Sequence, residues 1–333
     1  VHALPAEELV ATAFTLRGAG ALPAALPAGV TVRHRPVPAR GLQEAWARAE
    51  FPPVEFLTGR LDVFHATNFV LPPVRKAAGV VTIHDLTYLR FPETVSAASL
   101  RYRELVPRSI ARARVVCTPS EAVAAEIRDE YGPADVVVTP LGVDESWFST
   151  ERPDEAWLRG HGLPPRYLLF VGTLEPRKNL PTLLTAYRNL RAEHPDTPTL
   201  VLIGARGWGP ALSTAGLPPD AVVTPGYVEQ DVLRSAVAGA DALILPSRYE
   251  GFGIPPLEAF ACGTPVIASD IPVLREVTGG LAALVAPDDA DGFAHALHTV
   301  DAAGAQDRIA YARRWTWARC AEATQSAYHR ALQ

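Results

Sequence analysis

Residues Pro246–Pro272, PSRYEGFGIPPLEAFACGTPVIASDIP, connect one predicted strand to a helix and to a second strand. The apolar run Ala242–Leu245 directly before them is typical of a strand buried in a parallel sheet, and Pro246 ends that strand. Strand character resumes in the second apolar run, Thr264–Ser269. A strand, a loop, a helix and another strand in this order predict the repeating unit of an α/β fold.

The helix inside this stretch has clear start and stop signals. Pro255 and Pro256 suit its first turn, where a missing N–H group costs nothing, and Gly263 is a natural residue to follow its end. A helix that starts at the carboxyl end of a parallel strand directs its unpaired N–H groups and the positive end of its dipole at one point. The pattern therefore predicts a phosphate site.

The loop before this helix leaves its backbone accessible. Gly251 and Gly253 flank Phe252, so the amide groups from Gly251 to Ile254 can approach a ligand that a Cβ atom would keep away.

Two acids accompany the predicted phosphate site. Glu250 precedes the helix, and we expect Glu258 in its first turn. Carboxylates beside a phosphate are unfavourable unless they bind hydroxyl groups, and a nucleotide diphosphate sugar supplies hydroxyls on both its sugar and its ribose. The alternatives are that Glu258 caps the helix and that Glu250 is a solvated loop acid.

The segment YEGFGIPPLEAFACGTPVIAS, in which seven residues separate two glutamates, resembles the signature of retaining glycosyltransferases of family 4. The resemblance extends over most of the chain. It implies the GT-B fold, which is α/β with two Rossmann-like, doubly wound domains facing a central cleft. It also implies that Glu250 is a catalytic residue that holds hydroxyls of the donor sugar and that Glu258 holds the ribose.

Length and composition agree with an enzyme of two domains. The 333 residues carry a net charge of −5, which argues against a nucleic-acid partner. No apolar run approaches the ~18 residues of a membrane span. Cys117, Cys262 and Cys320 are widely separated and odd in number, so we expect neither disulfides nor a CxxC metal site and place the protein in the cytoplasm. The sequence begins at Val1 and contains no methionine, so we expect it not to be a complete translation product.

The second half of the chain alternates strands and helices regularly, which predicts a doubly wound parallel sheet over residues 146–315. Its candidate strands are Tyr167–Val171, Thr199–Ile203, Ala221–Thr224, Ala242–Leu245, Val266–Ser269 and Ala282–Val285. Its clearest helical patterns are Leu180–Arg191 and Asp231–Ala238.

The first half, residues 1–145, repeats the theme less clearly. Its candidate strands are Thr31–Val37, Leu61–His65, Val80–His84, Arg114–Cys117 and Val136–Thr139. Residues Val1–Gly20 look like a helix, so the first strand and the glycine-rich loop usual in the family are expected to be missing. The helical segment 316–333 is expected, by resemblance, to cross back onto the first domain.

Polar residues follow two predicted strands of the first half. His65 and Asn68 follow LDVF and are predicted on the acceptor side, whereas His84 and Asp85 follow VVTI. The resemblance makes IHD the counterpart of a motif that reaches the donor sugar and the acceptor, and so gives His84 and Asp85 catalytic roles. Structural roles remain the alternative for all four, and Ser120 is predicted to cap a helix.

The loop GTLEPRK, Gly172–Lys178, carries two cations suited to a diphosphate. Lys178 is a mobile point charge with a predicted catalytic role, and Arg177 is a planar fork able to grip two oxygens. Family members often have an arginine where this chain has Thr173, which leaves the division of labour between the two cations open. The alternative is a surface cation pair ahead of a helix.

Further donor contacts are predicted less specifically. Gly172 and Thr173 lie in the same loop, and Gly226, Tyr227 and Val228 follow a strand in the region that lines the base in the family. These positions could equally be ordinary strand-to-helix turns.

The leading hypothesis is a metal-independent, retaining transfer of a hexose from a nucleotide diphosphate sugar to a hydroxyl acceptor. GDP-mannose is the favoured donor because VGTLEPRKNL and IHDLTYLRFPE look most like mannosyltransferases. No cofactor is expected. The sequence leaves the acceptor open among a glycan, a lipid-linked molecule and a natural product. Peripheral association with a membrane is a further expected interaction. A sugar-nucleotide 2-epimerase of GT-B fold and a catalytically silent sugar-nucleotide-binding protein are the alternatives.

Overall fold

The computed structural model describes residues 3–4, 9–15, 21–33 and 35–333. Their contacts divide the chain into two compact units. The first consists of Val1–Leu89, Ala97–Pro140 and Trp317–Gln333, and the second of Arg90–Ser96 and Leu141–Thr316. The sequence did not anticipate that the short segment Arg90–Ser96 would belong with the second half of the chain.

The first unit contains a parallel sheet of four strands and a separate parallel pair. Strands β1 and β2 form the pair, and β3, β4, β5 and β6 follow one another in the larger sheet. Their bounds are β1 Val10–Ala11, β2 Thr31–Val32, β3 Val63–Ala66, β4 Ala78–Thr82, β5 Val115–Thr118 and β6 Val136–Val138. The helices between them are α1 Ala39–Arg48, α2 Glu55–Thr58, α3 Thr87–Arg90, α4 Tyr102–Arg112 and α5 Glu121–Tyr131.

Two expectations for the beginning of the chain were wrong. Val10–Ala11 is a strand and not part of a helix, while residues 1–2, 5–8 and 16–20 of the expected helix lie outside the described residues. Of the predicted strand Thr31–Val37, the described residues show Thr31–Val32 and an isolated bridge between Arg35 and Phe14. Pro36 and Pro38 lack the N–H group that a continuing ladder would need.

The second unit contains one parallel sheet in the order β12-β11-β10-β7-β8-β9. The strands are β7 Tyr167–Val171, β8 Thr199–Ile203, β9 Val222–Gly226, β10 Ala242–Leu245, β11 Val266–Ser269 and β12 Ala283–Val285. The helices are α6 Glu145–Phe148, α7 Glu155–Gly160, α8 Leu180–Glu193, α9 Gln230–Gly239, α10 Ile254–Ala261, α11 Pro272–Thr278, α12 Ala290–Thr299 and α13 Ala305–Ala312. Strands β7, β8, β10 and β11 begin and end at the predicted residues, and their side chains are almost entirely buried.

The order of strands in this second sheet reverses between β7 and β10. Chain connections run from β7 through β8 to β9 on one side and from β10 through β11 to β12 on the other. A ligand of an open α/β sheet binds at the carboxyl ends of the strands where the order reverses. The loops after β7 and β10 therefore mark the place for a site.

The last helix, α14 Trp317–Leu332, belongs to the first unit. Its small residues Ala327 and Ala331 are fully buried and form a core cluster with Ala78, Val80, Val115 and Cys117 of β4 and β5. Small side chains let a helix approach a sheet closely, so helical periodicity together with alanines explains the packing of α14 on these strands.

Candidate functional site

The two loops at the reversal point of the second sheet lie side by side. Strands β7 and β10 pair directly, with Leu168 opposite Ala242 and Leu169 opposite Leu243. The loop after β7 carries GTLEPRK, and the loop after β10 carries the segment from Pro246 to Gly253. Because both strands are parallel, their loops emerge at the same edge of the sheet.

Helix α10 starts at this edge as predicted. Its N-cap Gly253 is left-handed, with φ of 90° and ψ of 63°, and Pro255 and Pro256 lie in the first turn. A Cβ atom at Gly253 would meet Cδ2 of Leu274 at 2.8 Å. Both the backbone angle and the close approach therefore require glycine here.

The end of α10 also agrees with the prediction. Gly263 has a positive φ of 76° and follows the C-cap residue Cys262. The amide groups of Gly263 and Thr264 donate to the carbonyl oxygens of Phe260 and Ala259, which is the Schellman arrangement.

Glu250 is buried and bound by both cations of GTLEPRK. Its Oε1 accepts from Nζ of Lys178 at 2.6 Å, and its Oε2 accepts from Nη1 of Arg177 at 2.8 Å. Burial alone would raise the pKa of Glu250, but the charges of Lys178 and Arg177 and the Lys178 hydrogen bond lower it to about 2. Glu250 is therefore a carboxylate at neutral pH and is no solvated loop acid.

Arg177 binds two carboxylates at once. Its Nε and Nη2 donate to Oε1 of Glu175 at 3.0 and 2.7 Å, while Nη1 donates to Glu250 and to the carbonyl oxygen of Tyr249. The sequence argument did not single out Glu175. The sequence does place this acid two positions before the arginine in a short loop. At that spacing the two side chains can meet only if the loop turns, which the sequence did not show.

Glu258 lies in the second turn of α10, not in the first. The helix begins at Ile254, so Glu258 is its fifth residue and cannot be the capping residue of the alternative reading. Burial raises the pKa of Glu258 to about 7. At neutral pH this group exchanges between a carboxyl that donates a hydrogen bond and a carboxylate that accepts one.

The other predicted residues of the two loops have distinct environments. Phe252 is buried and its ring lies 5.5 Å from that of Trp315, so only its backbone can face a ligand. Thr173 is exposed, and the amide of Gly172 is bonded to the carbonyl oxygen of Ile203.

A cavity of about 390 Å³ lies beside this edge, at the ends of β8 and β9. Gly204, Arg206, Trp208 and Gly226 are among its lining residues. A Cβ atom at Gly204 would overlap the carbonyl oxygen of Gly172, so this close approach requires glycine. The predicted donor residues Tyr227 and Val228 follow Gly226, and the side chain of Tyr227 is 73% exposed.

In the first unit, His84 and Asp85 follow β4 at its carboxyl end. Nε2 of His84 donates to the carbonyl oxygen of Thr67 at 2.9 Å, so in the neutral ring Nδ1 is the acceptor nitrogen. Oδ1 of Asp85 accepts from the amide of Thr87 at 2.9 Å at the start of α3. The two side chains are held in different ways, one by a loop carbonyl and one by a helix start.

His65 is placed inside the first unit by bonds to both ring nitrogens. Nδ1 lies 2.8 Å from the hydroxyl of Tyr328 in α14, and Nε2 lies 2.8 Å from the hydroxyl of Thr82. Burial, aided by nearby His84, lowers the pKa of His65 to about 4. These bonds favour the structural alternative for His65, whereas Asn68 is exposed. Ser120 caps α5 as predicted, because its Oγ accepts from the amide of Val123.

Comparison with known proteins identifies the family. The model described as Glycosyltransferase Family 4 matches residues 1–147, and that described as Glycosyl transferases group 1 matches residues 165–300. O-antigen chain mannosyltransferase B of Escherichia coli is 32% identical over 302 residues, which cover 86% of this chain and 77% of that protein. The chain belongs to glycosyltransferase family 4. This family 4 glycosyltransferase is also similar to the glycogen synthase of Mycobacterium tuberculosis, at 32% identity over 81% of this chain and 69% of that one.

Solved structures agree on the fold of this glycosyltransferase. Sucrose-phosphate synthase from Thermosynechococcus elongatus superposes with a TM-score of 0.66 at 20% identity, covering 91% of this chain and 81% of its own. Anabaena HepE in complex with UDP-glucose gives a TM-score of 0.63 at 21% identity over 75% and 72% of the chains. The GT-B fold predicted from the sequence is confirmed. Across the part of the chain that the structure describes, no helix is both long enough and apolar enough to cross a membrane.

Proposed function

We propose that this glycosyltransferase moves a hexose, with mannose favoured, from a nucleotide diphosphate sugar to a hydroxyl group with retention of configuration. The observation that carries the proposal is the Glu250 carboxylate, which Lys178 and Arg177 hold beside the N-terminus of α10. This arrangement puts an acid that can bind hydroxyls beside a cation and a helix start that can bind phosphate. A nucleotide diphosphate sugar has its sugar hydroxyls and its phosphates next to each other in the same way.

The leaving group explains the role of the cation and the amides. When a nucleotide diphosphate leaves the anomeric carbon, negative charge grows on its phosphate oxygens. Nζ of Lys178 has three donors on a flexible stem, so it can hold Glu250 and a phosphate oxygen together. The amides of Gly253 and Ile254 at the start of α10 would stabilise the remaining charge. We propose no metal ion or cofactor for this step, since these groups supply the positive charge.

The acids are assigned to the hydroxyls of the donor. Glu250 stays ionised and would accept hydrogen bonds from the sugar, while Glu258 would bind the ribose. The cavity lined by Gly204 and Gly226 would take the base, with Tyr227 and Val228 at its rim. For the first unit, we assign His84 to a sugar hydroxyl and Asp85 to the acceptor.

The favoured donor follows the relatives. O-antigen chain mannosyltransferases of Escherichia coli and Salmonella typhimurium are 32% and 28% identical to this chain, which favours GDP-mannose over the UDP-glucose bound by HepE. The acceptor is a hydroxyl of a glycan, a lipid-linked molecule or a natural product.

We further propose a cytoplasmic protein that can associate with a membrane surface. Cys117, Cys262 and Cys320 do not form disulfides, which suits a reducing compartment. The rings of Phe51 and Phe56 are 57% and 58% exposed and lie 5.9 Å apart, an apolar pair suited to a lipid interface.

A binding screen followed by a turnover assay tests the proposal. The thermal midpoint is measured with GDP, UDP, ADP and dTDP sugars, and the true donor should raise it by an amount that grows with the logarithm of its concentration relative to its dissociation constant. The protein is then incubated with labelled GDP-mannose, or with whichever donor gives the largest shift. Slow release of free sugar supports transfer chemistry, whereas an altered sugar on intact nucleotide indicates an epimerase. Binding without turnover indicates a silent binding protein, and no shift with any donor contradicts the proposed site.

A further inference from the structure

Four charged side chains form a continuous chain at the reversal point of the second sheet. Glu175 binds Arg177, Arg177 binds Glu250, and Glu250 binds Lys178. The exposed fractions of these side chains are 8% for each acid, 17% for Arg177 and 11% for Lys178. Two acids and two cations cancel in formal charge, so the group is shielded from water without an uncompensated charge.

The hydrogen bonds of Arg177 limit what it can do. Four of the five N–H groups of its guanidinium are engaged by Glu175, Glu250 and the carbonyl oxygen of Tyr249. Every edge of the guanidinium that could grip two phosphate oxygens therefore contains at least one engaged N–H. Arg177 cannot hold a diphosphate in bidentate fashion unless one of these partners is released.

The same bonds fix the orientation of Glu250. One carboxylate oxygen faces Lys178 and the other faces Arg177, and Arg177 is itself oriented by Glu175 on its opposite edge. Of these partners, only Glu250 and the carbonyl oxygen of Tyr249, both bound to Nη1, would still hold the guanidinium if Glu175 were removed. Its plane, and with it the plane of the Glu250 carboxylate, would lose that restraint.

We propose that Glu175 is a positioning residue which, through Arg177, aligns the Glu250 carboxylate for the donor sugar. Arg177 is then a bridge between two acids, and Lys178 is the cation of this group that meets the diphosphate. The inference rests on the proposed function, because it requires Glu250 to bind the sugar.

The charge change on Glu175→Gln gives the inference a distinctive signature. The variant keeps the shape of the side chain but removes one negative charge, so the four-residue group becomes net positive. A nucleoside diphosphate without sugar should bind as well as before or more tightly, because the added positive charge attracts phosphate. The sugar should contribute less, because a neutral amide oxygen holds Arg177, and through it the Glu250 carboxylate, more weakly than a carboxylate does.

Calorimetry with GDP and with GDP-mannose, or with the corresponding pair if the screen selects another donor, measures both effects. For Glu175→Gln we expect the ratio of the two dissociation constants to shift against the sugar nucleotide by about tenfold, the scale of one charged hydrogen bond. We also expect kcat to fall by about tenfold or more, while KM for the donor rises by no more than the dissociation constant of the sugar nucleotide does.

Asp241→Asn is the matched control. Asp241 also pairs with two arginines, Arg166 at 3.0 Å and Arg152 at 3.6 Å, but it lies at the amino end of β10, away from the site. Asp241→Asn should leave kcat and the ratio of the two dissociation constants unchanged. This control shows whether an effect of Glu175→Gln comes from the alignment of Glu250 or from the loss of any acid in this unit.

The possible outcomes separate the inference from the function on which it rests. If the wild-type protein binds none of the sugar nucleotides, the proposed function fails and the inference fails with it. If the wild type binds a sugar nucleotide and Glu175→Gln weakens the binding of both ligands equally, or leaves the binding of both unchanged, the inference alone is wrong. Should Glu175→Gln not fold, Arg177→Lys keeps the charge but cannot bridge two acids, and it must shift the same ratio; an unchanged ratio overturns the inference.

Discussion

Nζ of Lys178 lies 2.6 Å from Oε1 of Glu250 although the two residues are 72 positions apart in the chain. The bond joins the loop after β7 to the loop after β10, two strands that pair directly. Acid and cation are thus brought together by the sheet before any donor is present. In the proposed function, the diphosphate would share Lys178 with Glu250, so substitution of either residue should affect both the pair and the donor.

Glu250→Gln should destabilise the protein and change how its stability depends on pH. The variant leaves Lys178 and Arg177 buried without their common carboxylate, at a cost of about 3 kcal/mol. Since the pKa of Glu250 is lowered to about 2, its contribution is complete above the unfolded value of 4.5 and is lost as the pH falls toward 2. Unfolding by urea at about pH 7 and at about pH 3 should show a large difference from wild type at the first and a smaller one at the second. Equal differences at both would contradict the ion pairing.

Glu258→Gln should have the opposite pH signature. Burial raises the pKa of Glu258 to about 7, so the folded protein takes up this proton more readily than the unfolded chain, whose value is 4.5. Its contribution is therefore complete below 4.5 and is lost as the pH rises through 7, by up to about 3 kcal/mol. Because Gln resembles the protonated acid, the variant should melt at a higher temperature than wild type at about pH 8 and at the same temperature at about pH 4. A variant that is less stable at the higher pH would show that the carboxylate form is the favoured one.

Lys178→Ala should cost turnover more than donor binding. Charge grows on the diphosphate only as it leaves, so a cation aimed at it contributes more to the transition state than to the ground state. We expect kcat to fall by about a hundredfold or more while the dissociation constant of the donor rises by about tenfold or less. Arg166→Ala, which removes an exposed cation at the amino end of β7, is the control. Intact turnover in Lys178→Ala would remove the phosphate role from this residue.

Tyr328→Phe should loosen the attachment of α14. The hydroxyl of Tyr328 is bonded to Nδ1 of His65, and its loss leaves that buried nitrogen without this partner, at about 1–2 kcal/mol. Tyr227→Phe removes a hydroxyl from a side chain that is 73% exposed and should change stability by less than about 0.5 kcal/mol. Urea unfolding followed by tyrosine and tryptophan fluorescence compares the two. A stability of Tyr328→Phe equal to that of the control would mean that the His65 bond does not anchor the helix.

Gly253→Ala should disturb the start of α10. The left-handed backbone and the 2.8 Å approach to Leu274 both oppose a Cβ atom, so we expect a loss of about 1–2 kcal/mol and weaker donor binding. Gly160→Ala is the control, since a Cβ atom there meets nothing within 4 Å and its φ is not positive. It should be neutral or slightly stabilising. Thermal midpoints with and without GDP measure both effects, and an unperturbed Gly253→Ala variant would rule out the tight start of the helix.

The sequence predicted the second unit well because its strands are short apolar runs bounded by glycine and proline. The bounds of β7, β8, β10 and β11 follow directly from these patterns. The first unit was harder to read. Pro36 and Pro38 cut short the strand that was predicted as far as Val37, and Val10–Ala11 was mistaken for part of a helix, because a strand of two residues has too little alternation to be recognised.

Site residues divide in the same way. The positions of Glu250 and of the Gly253 helix start could be read from a local pattern of acid, glycine and proline. The position of Glu258 within α10 could not be read as accurately, because it depends on which residue begins the helix. The helix begins at Ile254, so Glu258 lies in the second turn and not in the predicted first turn. No local pattern could reveal that Arg177 binds Glu175 and Glu250 together, because one of those partners is distant in the chain.

The sequence by itself determined the α/β class, the family and the residues that surround the start of α10, since each depends on patterns within a few consecutive positions. Only the tertiary structure decided which charges pair and that His65 is bound on both ring nitrogens. It also decided that burial raises the pKa of Glu258 to about 7, whereas Lys178 and Arg177 overcome the effect of burial on Glu250 and lower its pKa to about 2. The physical reason is that burial and pairing depend on segments remote in sequence. Two glutamates of the same motif acquire opposite pKa shifts because Glu250 meets two cations, whereas burial is the cause of the shift of Glu258.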